Sequence, residues 1–490
     1  MPSLRRRRMP AVGAAMAAAA VLIGAAPAPV CRDLGTGHPS EATAESVAPG
    51  LPSLGDGRAT PPLPGFCRVT GTLRPVAGSR IGYELWMPSA DAWTGRFQMV
   101  GNGGYSSTLP TAAMADALRR GSAVVATDTG HRGDDPDFAR GRPESIVDWG
   151  WRSVHLTAIA AKSIVRRYYG RPATYTYFNG CSTGGHQAMT EAQRFPADFD
   201  GIVAGAPGSD RVRLNAAFLW QYLANHRPGQ DDAPILGAGD LALLQRHSLA
   251  SCKARIDPSD DWLADPLSCR PDPSALLCAP GRTTGCLTAE KVTAARAMYS
   301  GARDPRTGTQ LTFPWLPGSE TGWSGYWANP QKPDEPARAN FWRVWAFDDP
   351  YWNWWHAAFA RDLAATQARL SPMIDAQNPD LSRFRARGGK LLHYHGLADP
   401  VVSPLDTLAY RSSVMRAMQL TPERLATWFR LFLVPGMGHC AGGPGFTAFD
   451  AQTAIEHWVE NGRPPDALST TSSRQPGRTR LLRPVGAPTS

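Results

Sequence analysis

Short apolar runs alternate with longer amphipathic stretches over residues 68–209. Residues 97–100 and 123–126 are predicted strands, because each is a short and mainly apolar run. A helix is predicted over residues 154–169, where apolar side chains recur at helical spacing. Strands that alternate with helices in this way are typical of an α/β fold with a mainly parallel sheet.

The same alternation resumes near the C-terminus. The predicted elements there are strands at 390–395 and 430–434 and helices at 404–418 and 449–461. Between the two parts, residues 209–376 contain scattered proline and glycine and four of the eight cysteines. This change of composition predicts a domain inserted over 209–376, so that residues 31–208 and 377–490 together form one α/β domain.

The first 30 residues are predicted to be a signal peptide. Residues 5–8 are all arginine, and an alanine-rich apolar stretch follows and ends in Ala-Pro-Ala-Pro. An uncleaved membrane anchor is the alternative, although the stretch is short and rich in alanine. Later apolar runs are too short to cross a membrane. We therefore expect a secreted or periplasmic protein that is not bound to a membrane after cleavage.

The net charge bears on nucleic acid binding, and the cysteines bear on disulfides and metal sites. The formal net charge is +9, but part of it lies in the leader and the rest is scattered, so we expect no nucleic acid partner. The eight cysteines are an even number and include no Cys-x-x-Cys pair. In an exported chain this pattern favours disulfides over metal sites.

A nucleophile elbow is predicted around Ser182. A strand at residues 174–178 and a tight turn at Asn179-Gly180 precede Cys-Ser-Thr-Gly-Gly, and a helix over 184–194 follows. In α/β-hydrolases such a strand, turn and helix lift a serine above the sheet. Gly180 and Gly184 then occupy the glycine positions of Gly-x-Ser-x-Gly. A glycine-rich turn capped by Ser182 is the alternative.

Serine needs a base to take its proton, and the base needs a carboxylate to orient it. Asp399 follows a predicted strand in Gly-Leu-Ala-Asp-Pro, and His439 follows the next strand in Gly-Met-Gly-His-Cys. The order Ser, Asp, His is that of α/β-hydrolases. Asp406 is the rival acid, but it falls in the following predicted helix, so Asp399 is preferred.

The neighbours of the predicted triad carry two further predictions. A triad would bring Cys181 and Cys440 close enough to form a bridge. The competing hypothesis, that either cysteine is itself the nucleophile, is disfavoured in an exported chain. The oxyanion donors are predicted to be the amide of Thr183 and that of Gly103 or Gly104, in the loop after strand 97–100.

Other residues invite simpler interpretations. His393 and His395 share one strand face and could bind a metal, but no third ligand is apparent. His131 and His186 are predicted to be hydrogen-bonded structural groups. The tryptophans at 345, 352, 354 and 355 either form the floor of an aromatic pocket or fill the core of the insertion, and both hypotheses stay open.

Several motifs resemble the tannase and feruloyl esterase family. They are Gly-Cys-Ser-Thr-Gly-Gly at 180–185, Asp-Phe-Asp-Gly-Ile-Val-Ala-Gly-Ala-Pro at 198–207, Gly-Leu-Ala-Asp at 396–399 and Gly-His-Cys at 438–440. The resemblance implies an α/β-hydrolase fold with a large lid domain inserted after the nucleophile helix. It also implies four disulfides, namely Cys181–Cys440, Cys31–Cys67, Cys252–Cys269 and Cys278–Cys286.

Members of this family often bind calcium through an acidic segment of the lid. Lys253 and Ile256 stand where two of the acidic ligands would be. Because calcium requires six to eight oxygen ligands, we expect no family-type calcium site, no other metal and no cofactor. A shifted calcium site at Asp257, Asp260 and Asp261 is the alternative.

The expected function is that of a secreted serine esterase, a carboxylic ester hydrolase. Ser182 would attack the ester, His439 would act as base and Asp399 would orient the imidazole. The resemblance implies a small-molecule ester of an aromatic acid as substrate, such as a hydroxycinnamate, a gallate or a terephthalate monoester. An esterase of aliphatic acids and a non-catalytic binding protein on a hydrolase scaffold are the alternatives. The sequence carries no prediction of oligomeric state.

Overall fold

The computed structural model describes residues 30–35, 41–50, 61–252, 261–472 and 477–486. The predicted signal peptide lies outside these residues, except for residue 30. Most of the segment that bears on calcium, residues 253–260, also lies outside them. Within the described ranges, no helix has the length and apolar character needed to cross a membrane.

One sheet organises the described part of the chain. Its nine strands are β1 (Glu41–Val47), β2 (Phe66–Leu73), β3 (Ile81–Pro88), β4 (Arg96–Val100), β5 (Ala123–Thr127), β6 (Tyr175–Cys181), β7 (Gly201–Gly205), β10 (Lys390–Gly396) and β11 (Phe429–Val434). Their order across the sheet is β1-β2-β3-β5-β4-β6-β7-β10-β11. The strands from β5 to β11 in this order run parallel, and β1, β2 and β3 pair antiparallel. The predicted α/β fold with a mainly parallel sheet is confirmed.

The described residues contain twelve α-helices. They are α1 (Thr111–Arg119), α2 (Pro143–Val147), α3 (Ser153–Tyr169), α4 (Thr183–Arg194), α5 (Arg211–Asn225), α6 (Ala238–Ser251), α7 (Ala289–Ser300), α8 (Phe359–Ile374), α9 (Ser382–Ala386), α10 (Pro404–Ala417), α11 (Pro422–Ala426) and α12 (Ala451–Asn461). Of these, α1, α3, α4, α10, α11 and α12 contact the sheet and cover both of its faces. Successive side chains of a strand point to opposite faces. Phe178 of β6 therefore packs in one core with α3 and α4, whereas Tyr177 packs in another core with α12. Burial on both faces explains why the central strands are apolar throughout.

The predicted insertion, residues 209–376, lies between β7 and β10 and contains helices α5 to α8, and α9 follows it. A small hairpin there consists of β8 (Ala328–Asn329) and β9 (Lys332–Pro336). Part of this region has a core of its own, in which α6 and α7 pack around Trp315 and Trp323. The exact bounds of 209–376 stay a prediction. Near the C-terminus, β12 (Phe446–Ala448), β13 (Leu468–Ser472) and β14 (Thr479–Leu482) form a separate small sheet.

Aromatic side chains join the insertion to the rest of the fold. Trp342 and Trp345 are buried, and the ring of Trp345 contacts those of Tyr105 and Trp149, with centroids 5.4 and 5.3 Å apart. Its indole Nε1 donates to the carbonyl of Pro136 at 2.8 Å. These two tryptophans therefore fill core. Trp352 and Trp354 are partly buried and pack against the same cluster.

All eight cysteines lie in the described ranges, and they form four disulfides. Three of them staple local segments, namely Cys31–Cys67, Cys252–Cys269 and Cys278–Cys286. The fourth, Cys181–Cys440, spans 259 residues and belongs to the candidate active site. These are the four pairs that the family resemblance implies.

We predict that Trp345→Ala destabilises the fold by about 3–5 kcal/mol, because it leaves a cavity where the insertion meets Tyr105 and Trp149. Urea unfolding followed by circular dichroism measures this loss. Tyr351→Ala is the control: Tyr351 is 91% exposed, so its removal should change stability by no more than about 0.5 kcal/mol. Equal losses in the two variants would show that the aromatic junction does not hold the insertion in place.

Candidate active site

Ser182 occupies a strained turn between β6 and α4. Its backbone has φ 62° and ψ −118°, a conformation that costs a residue other than glycine about 1–3 kcal/mol. The Ser182 amide donates to the carbonyl of Gly205 at 3.0 Å, and its carbonyl accepts from the amide of His186 at 2.9 Å. The end of β7 and the start of α4 thus hold the turn, which has the strained geometry of a nucleophile elbow.

The glycines of the motif let β6, α4 and the end of β7 pack closely, and neither glycine is at the apex of the turn. A Cβ on Gly180 would lie 2.6 Å from the carbonyl carbon of Gly184, and one on Gly185 would lie 2.3 Å from the Gly205 carbonyl oxygen. The predicted turn at Asn179-Gly180 is wrong, because both residues pair with β7 and the strand continues to Cys181. Gly180 is needed here for contact with α4, and the turn comes two residues later, at Ser182.

Asp399 and His439 follow the adjacent parallel strands β10 and β11. His439 Nδ1 donates to Asp399 Oδ2 at 2.7 Å. The other carboxylate oxygen accepts the amides of Val401 and Val402 at 2.8 and 3.0 Å. A Cβ on Gly396 would lie 2.3 Å from the Gly438 carbonyl oxygen, so the lack of a side chain lets the two loops meet.

Asp399 is fully buried, yet its pKa lies well below the ordinary range. Burial opposes ionisation, but the charge of His439 and the hydrogen bonds from His395 and His439 outweigh it. The rival acid Asp406 lies in α10 and does not contact His439. Burial and the nearby charge of Asp210 raise the pKa of Asp406 to about 8. The structure therefore gives His439 an ionised carboxylate partner, which is Asp399.

The Cys181–Cys440 bridge links the elbow to the histidine loop. Its Cα atoms are 5.8 Å apart, and each cysteine is the chain neighbour of a predicted triad residue. The hydrogen bond of the His439 ring runs from Nδ1 to Asp399, and among the described residues none joins His439 Nε2 to Ser182 Oγ. Such bonds are often long in ligand-free enzymes. Because both cysteines are oxidised, neither offers a thiolate.

The predicted oxyanion residues meet beside Ser182. Thr183 is the first residue of α4, and its Oγ1 donates to the carbonyl of Gly104 at 2.7 Å. The buried guanidinium of Arg211 donates to the same Oγ1 at 2.6 Å. In the part of the chain that the structure describes, the amides of Gly103 and Gly104 donate to no acceptor. These amides and that of Thr183 remain candidate donors.

Asn102 anchors the oxyanion loop from behind. Its side-chain amide donates to the carbonyl of Thr127 at 2.9 Å, and its backbone amide donates to Gln187 Oε1 at 3.0 Å. The loop is thereby tied to β5 and to α4. Asn102 lies inside the Gly-Asn-Gly-Gly run, but nothing in the sequence alone indicates this anchoring role.

A second histidine, His395, lies close to the carboxylate of Asp399, the predicted catalytic aspartate. Its Nε2 lies 3.3 Å from Asp399 Oδ2 and donates to the carbonyl of Val402 at 2.9 Å. Its Nδ1 accepts from Thr407 Oγ1 at 2.7 Å, which fixes the tautomer. The neighbouring His393 is fully buried, and burial followed by the charge of His395 lowers its pKa to about 3. Among the described residues, neither histidine belongs to a cluster with metal-ligand geometry.

The two other histidines have the structural role that was predicted. His186 Nε2 bonds to the carbonyl of Ile374, and His131 Nε2 to that of Tyr105, each at 2.7 Å. Burial lowers the pKa of both imidazoles.

The insertion covers the site with aromatic and cationic side chains. A short 3-10 helix, Glu320–Tyr326, lies against the loop after Asp399, where a Cβ on Gly322 would be 2.6 Å from Pro400. Tyr326 stacks on Phe218 with ring centroids 4.7 Å apart. No motif marked these residues in the sequence.

Arg338 lies over the oxyanion loop. Its backbone has φ 63°, and its guanidinium carbon is 5.1 Å from the ring centroid of Tyr105 and 6.0 Å from that of Tyr326. A Cβ on Gly104 would be 3.2 Å from Arg338 Nη2. The loop that offers the oxyanion amides thus has a guanidinium above it.

The family model described as tannase and feruloyl esterase matches residues 67–485. The chain belongs to this family. An uncharacterized esterase of Xanthomonas campestris pv. campestris is 35% identical over 92% of this chain and 85% of its own length. Mono(2-hydroxyethyl) terephthalate hydrolase of Piscinibacter sakaiensis is 34% identical over 86% of this chain and 81% of its own.

A solved structure supports the same membership. The crystal structure of feruloyl esterase B from Aspergillus oryzae superposes with a TM-score of 0.82 at 26% identity, covering 91% of this chain and 92% of that one. Membership of the tannase and feruloyl esterase family confirms the predicted family, its fold and the enzyme class of carboxylic ester hydrolase.

We predict that His395→Leu lowers kcat by about 10-fold with little change in KM, because Asp399 loses the imidazole Nε2–H that lies 3.3 Å from its Oδ2 and is shared with the Val402 carbonyl, a contact worth about 1.5 kcal/mol. Because the pKa of Asp399 is lower in the folded state than in the unfolded state, its ionisation stabilises the fold at any pH above the unfolded pKa. This stability is lost as pH falls through the folded pKa. In His395→Leu the pKa of Asp399 should be lowered less. The free energy of unfolding of this variant should therefore fall less than that of the wild type between about pH 5 and pH 2.

Steady-state kinetics and urea unfolding against pH measure both effects. His393→Leu is the matched control, since it removes a buried imidazole from the same strand face without touching Asp399. An unchanged kcat in His395→Leu, or the same pH dependence in both variants, would contradict the role assigned to His395.

Proposed function

We propose that this chain is an exported serine esterase that hydrolyses esters of aromatic acids. The observation that carries the proposal is the 2.7 Å hydrogen bond from His439 to a buried, ionised Asp399, on a loop bridged to the strained turn of Ser182. A nucleophile, a base and an orienting carboxylate in this arrangement suit acyl transfer.

The first half-reaction forms an acyl-enzyme. Ser182 Oγ attacks the ester carbonyl carbon while His439 Nε2 takes its proton, and Asp399 stabilises the resulting imidazolium. The carbonyl oxygen becomes an oxyanion, which accepts hydrogen bonds from Thr183 and from Gly103 or Gly104. The tetrahedral intermediate collapses, the carbon–oxygen bond to the alcohol breaks, and His439 returns its proton to the alcohol.

The second half-reaction repeats the sequence with water. His439 takes a proton from water, the hydroxide attacks the acyl carbon, and the bond to Ser182 Oγ breaks as the serine regains a proton. The free acid leaves. Every proton in this cycle passes through His439, so the proposed steps use no metal or cofactor.

The aromatic acid assignment rests on the site cover and on the relatives. Tyr326, Phe218 and Arg338 approach the loops that carry Asp399 and Gly104, and flat rings bind favourably against such side chains. The similar proteins include a feruloyl esterase and a terephthalate monoester hydrolase by name. Export is supported by the leader-like N-terminus and by four disulfides, which form in oxidising compartments.

The test is hydrolysis of methyl ferulate, methyl gallate, mono(2-hydroxyethyl) terephthalate and p-nitrophenyl butyrate by the exported protein. We expect the highest kcat/KM on an aromatic acid ester and a loss of at least about 1,000-fold in Ser182→Ala. Ser412→Ala, which removes an exposed serine hydroxyl, is the matched control and should be fully active. EDTA and added calcium should leave the rate unchanged.

Other outcomes separate the parts of the proposal. Preference for butyrate would contradict the aromatic acid assignment while leaving the triad in place. Activity that survives in Ser182→Ala would exclude Ser182 as nucleophile. The N-terminus of the assayed protein should lie near residue 30, and an intact Met1 would contradict export with cleavage.

A further inference from the structure

Three ligand-type side chains converge at the far end of the nucleophile helix. His155 comes from α3, Glu191 from α4 and Asp198 from the loop before β7. Glu191 is nine residues beyond Ser182 on the same helix, which places it about 13 Å along the axis. The proposed triad uses none of these three residues.

The three side chains are close enough to share one ion. Their ligand atoms all lie within 4.8 Å of one another. His155 Nδ1 and Asp198 Oδ2 are 2.6 Å apart. The imidazole stacks on Phe195 with centroids 3.7 Å apart, which holds its Nδ1 edge toward the carboxylates.

Glu191 is the feature that calls for a ligand. Its side chain is fully buried, and both carboxylate oxygens lack a hydrogen-bond partner. No ion pair to Glu191 occurs within the described residues. A buried carboxyl group without partners costs several kcal/mol unless something in its surroundings compensates it.

Lys162 compensates Glu191 only through its charge. The charge of Lys162 acts to lower the pKa of the Glu191 carboxyl group, against the larger effect of burial. Its ammonium group donates to the backbone carbonyl of Asp198 and lies 4.7 Å from the centre of the Phe199 ring. Among the described residues, no hydrogen bond or ion pair joins Lys162 to the Glu191 carboxylate, so the oxygens of Glu191 keep their capacity to bind a ligand.

We propose that His155, Glu191 and Asp198 form a binding site for a zinc ion. One imidazole nitrogen with two carboxylates is a donor set that suits zinc, whereas calcium prefers oxygen ligands alone. Ligand atoms about 2.1 Å from a tetrahedral zinc ion lie about 3.4 Å apart. Side-chain shifts of about 1 Å would bring the present arrangement to that geometry.

The surroundings suit such an ion in charge and access. The two carboxylates match its two positive charges, and the Lys162 ammonium group is bonded to the backbone carbonyl of Asp198 rather than to a carboxylate oxygen. The His155 side chain is 21% exposed, so water can reach the site and supply the fourth ligand. The bound ion would tie α3 to α4 and so brace the helix that begins at the Ser182 turn.

The test uses the full mature protein, dialysed against EDTA and titrated with zinc chloride. Isothermal titration calorimetry and metal analysis after gel filtration should give one bound zinc per chain. In Glu191→Gln the affinity for zinc should fall by at least about 30-fold. With cobalt as a coloured substitute for zinc, the variant should also lose the visible absorption that is typical of tetrahedral cobalt. His356→Gln, which removes an exposed histidine, is the matched control and should bind zinc as the wild type does.

A proton on Glu191 is the competing occupant, since burial and the charge of Asp198 raise the pKa of this carboxyl group. A folded wild-type protein that binds no zinc would overturn the proposal in favour of that proton. Equal zinc binding by wild type and Glu191→Gln would overturn it too, because the ion would then lie elsewhere. If Glu191→Gln fails to fold, Asp198→Asn serves as the second variant, with the same expected loss. Neither result depends on ester hydrolysis.

Discussion

The Cys181–Cys440 bridge is the constraint on which the site depends. It joins two segments separated by 259 residues, and closing so long a loop would stabilise the fold by about 5 kcal/mol in the chain-entropy description. The bridge limits the distance between the Ser182 turn and the His439 loop, and the proposed proton transfer would depend on that distance. The adjacent strands β10 and β11 set the spacing between Asp399 and His439. The disulfide therefore constrains the proposed serine–histidine pair, and the strand pairing constrains the aspartate–histidine pair.

Under the proposed function, the predicted insertion would contribute to specificity rather than to the chemical steps. It packs on the α/β domain through buried rings around Trp345 and approaches the candidate site through the Glu320–Tyr326 helix and Arg338. The proposed acid–base groups and the candidate oxyanion loop follow strands of the α/β domain. Such a division lets substrate preference change through the covering segments while the strand ends keep the same groups.

The fold and most of the candidate site could be predicted because their signals are local. Ser182, Asp399 and His439 each follow a short apolar strand and lie in a glycine-containing motif, so position and chemistry coincide. The end of β6 was misplaced because glycine at position 180 suggests a turn, whereas it serves close packing against Gly184. Tyr326, Arg338 and His395 could not be found in this way, because their roles depend on contacts between distant segments. His155, Glu191 and Asp198 meet for the same reason.

Ser182 is proposed to be the nucleophile that His439 and Asp399 activate. Reaction of the folded, oxidised protein with an aryl fluorophosphonate, followed by peptide mapping by mass spectrometry, tests this role. We expect one adduct per chain, on Ser182, with complete loss of esterase activity, and a much slower reaction when His439 is replaced by alanine. An adduct on another residue, or full activity in a protein labelled at Ser182, would contradict this role.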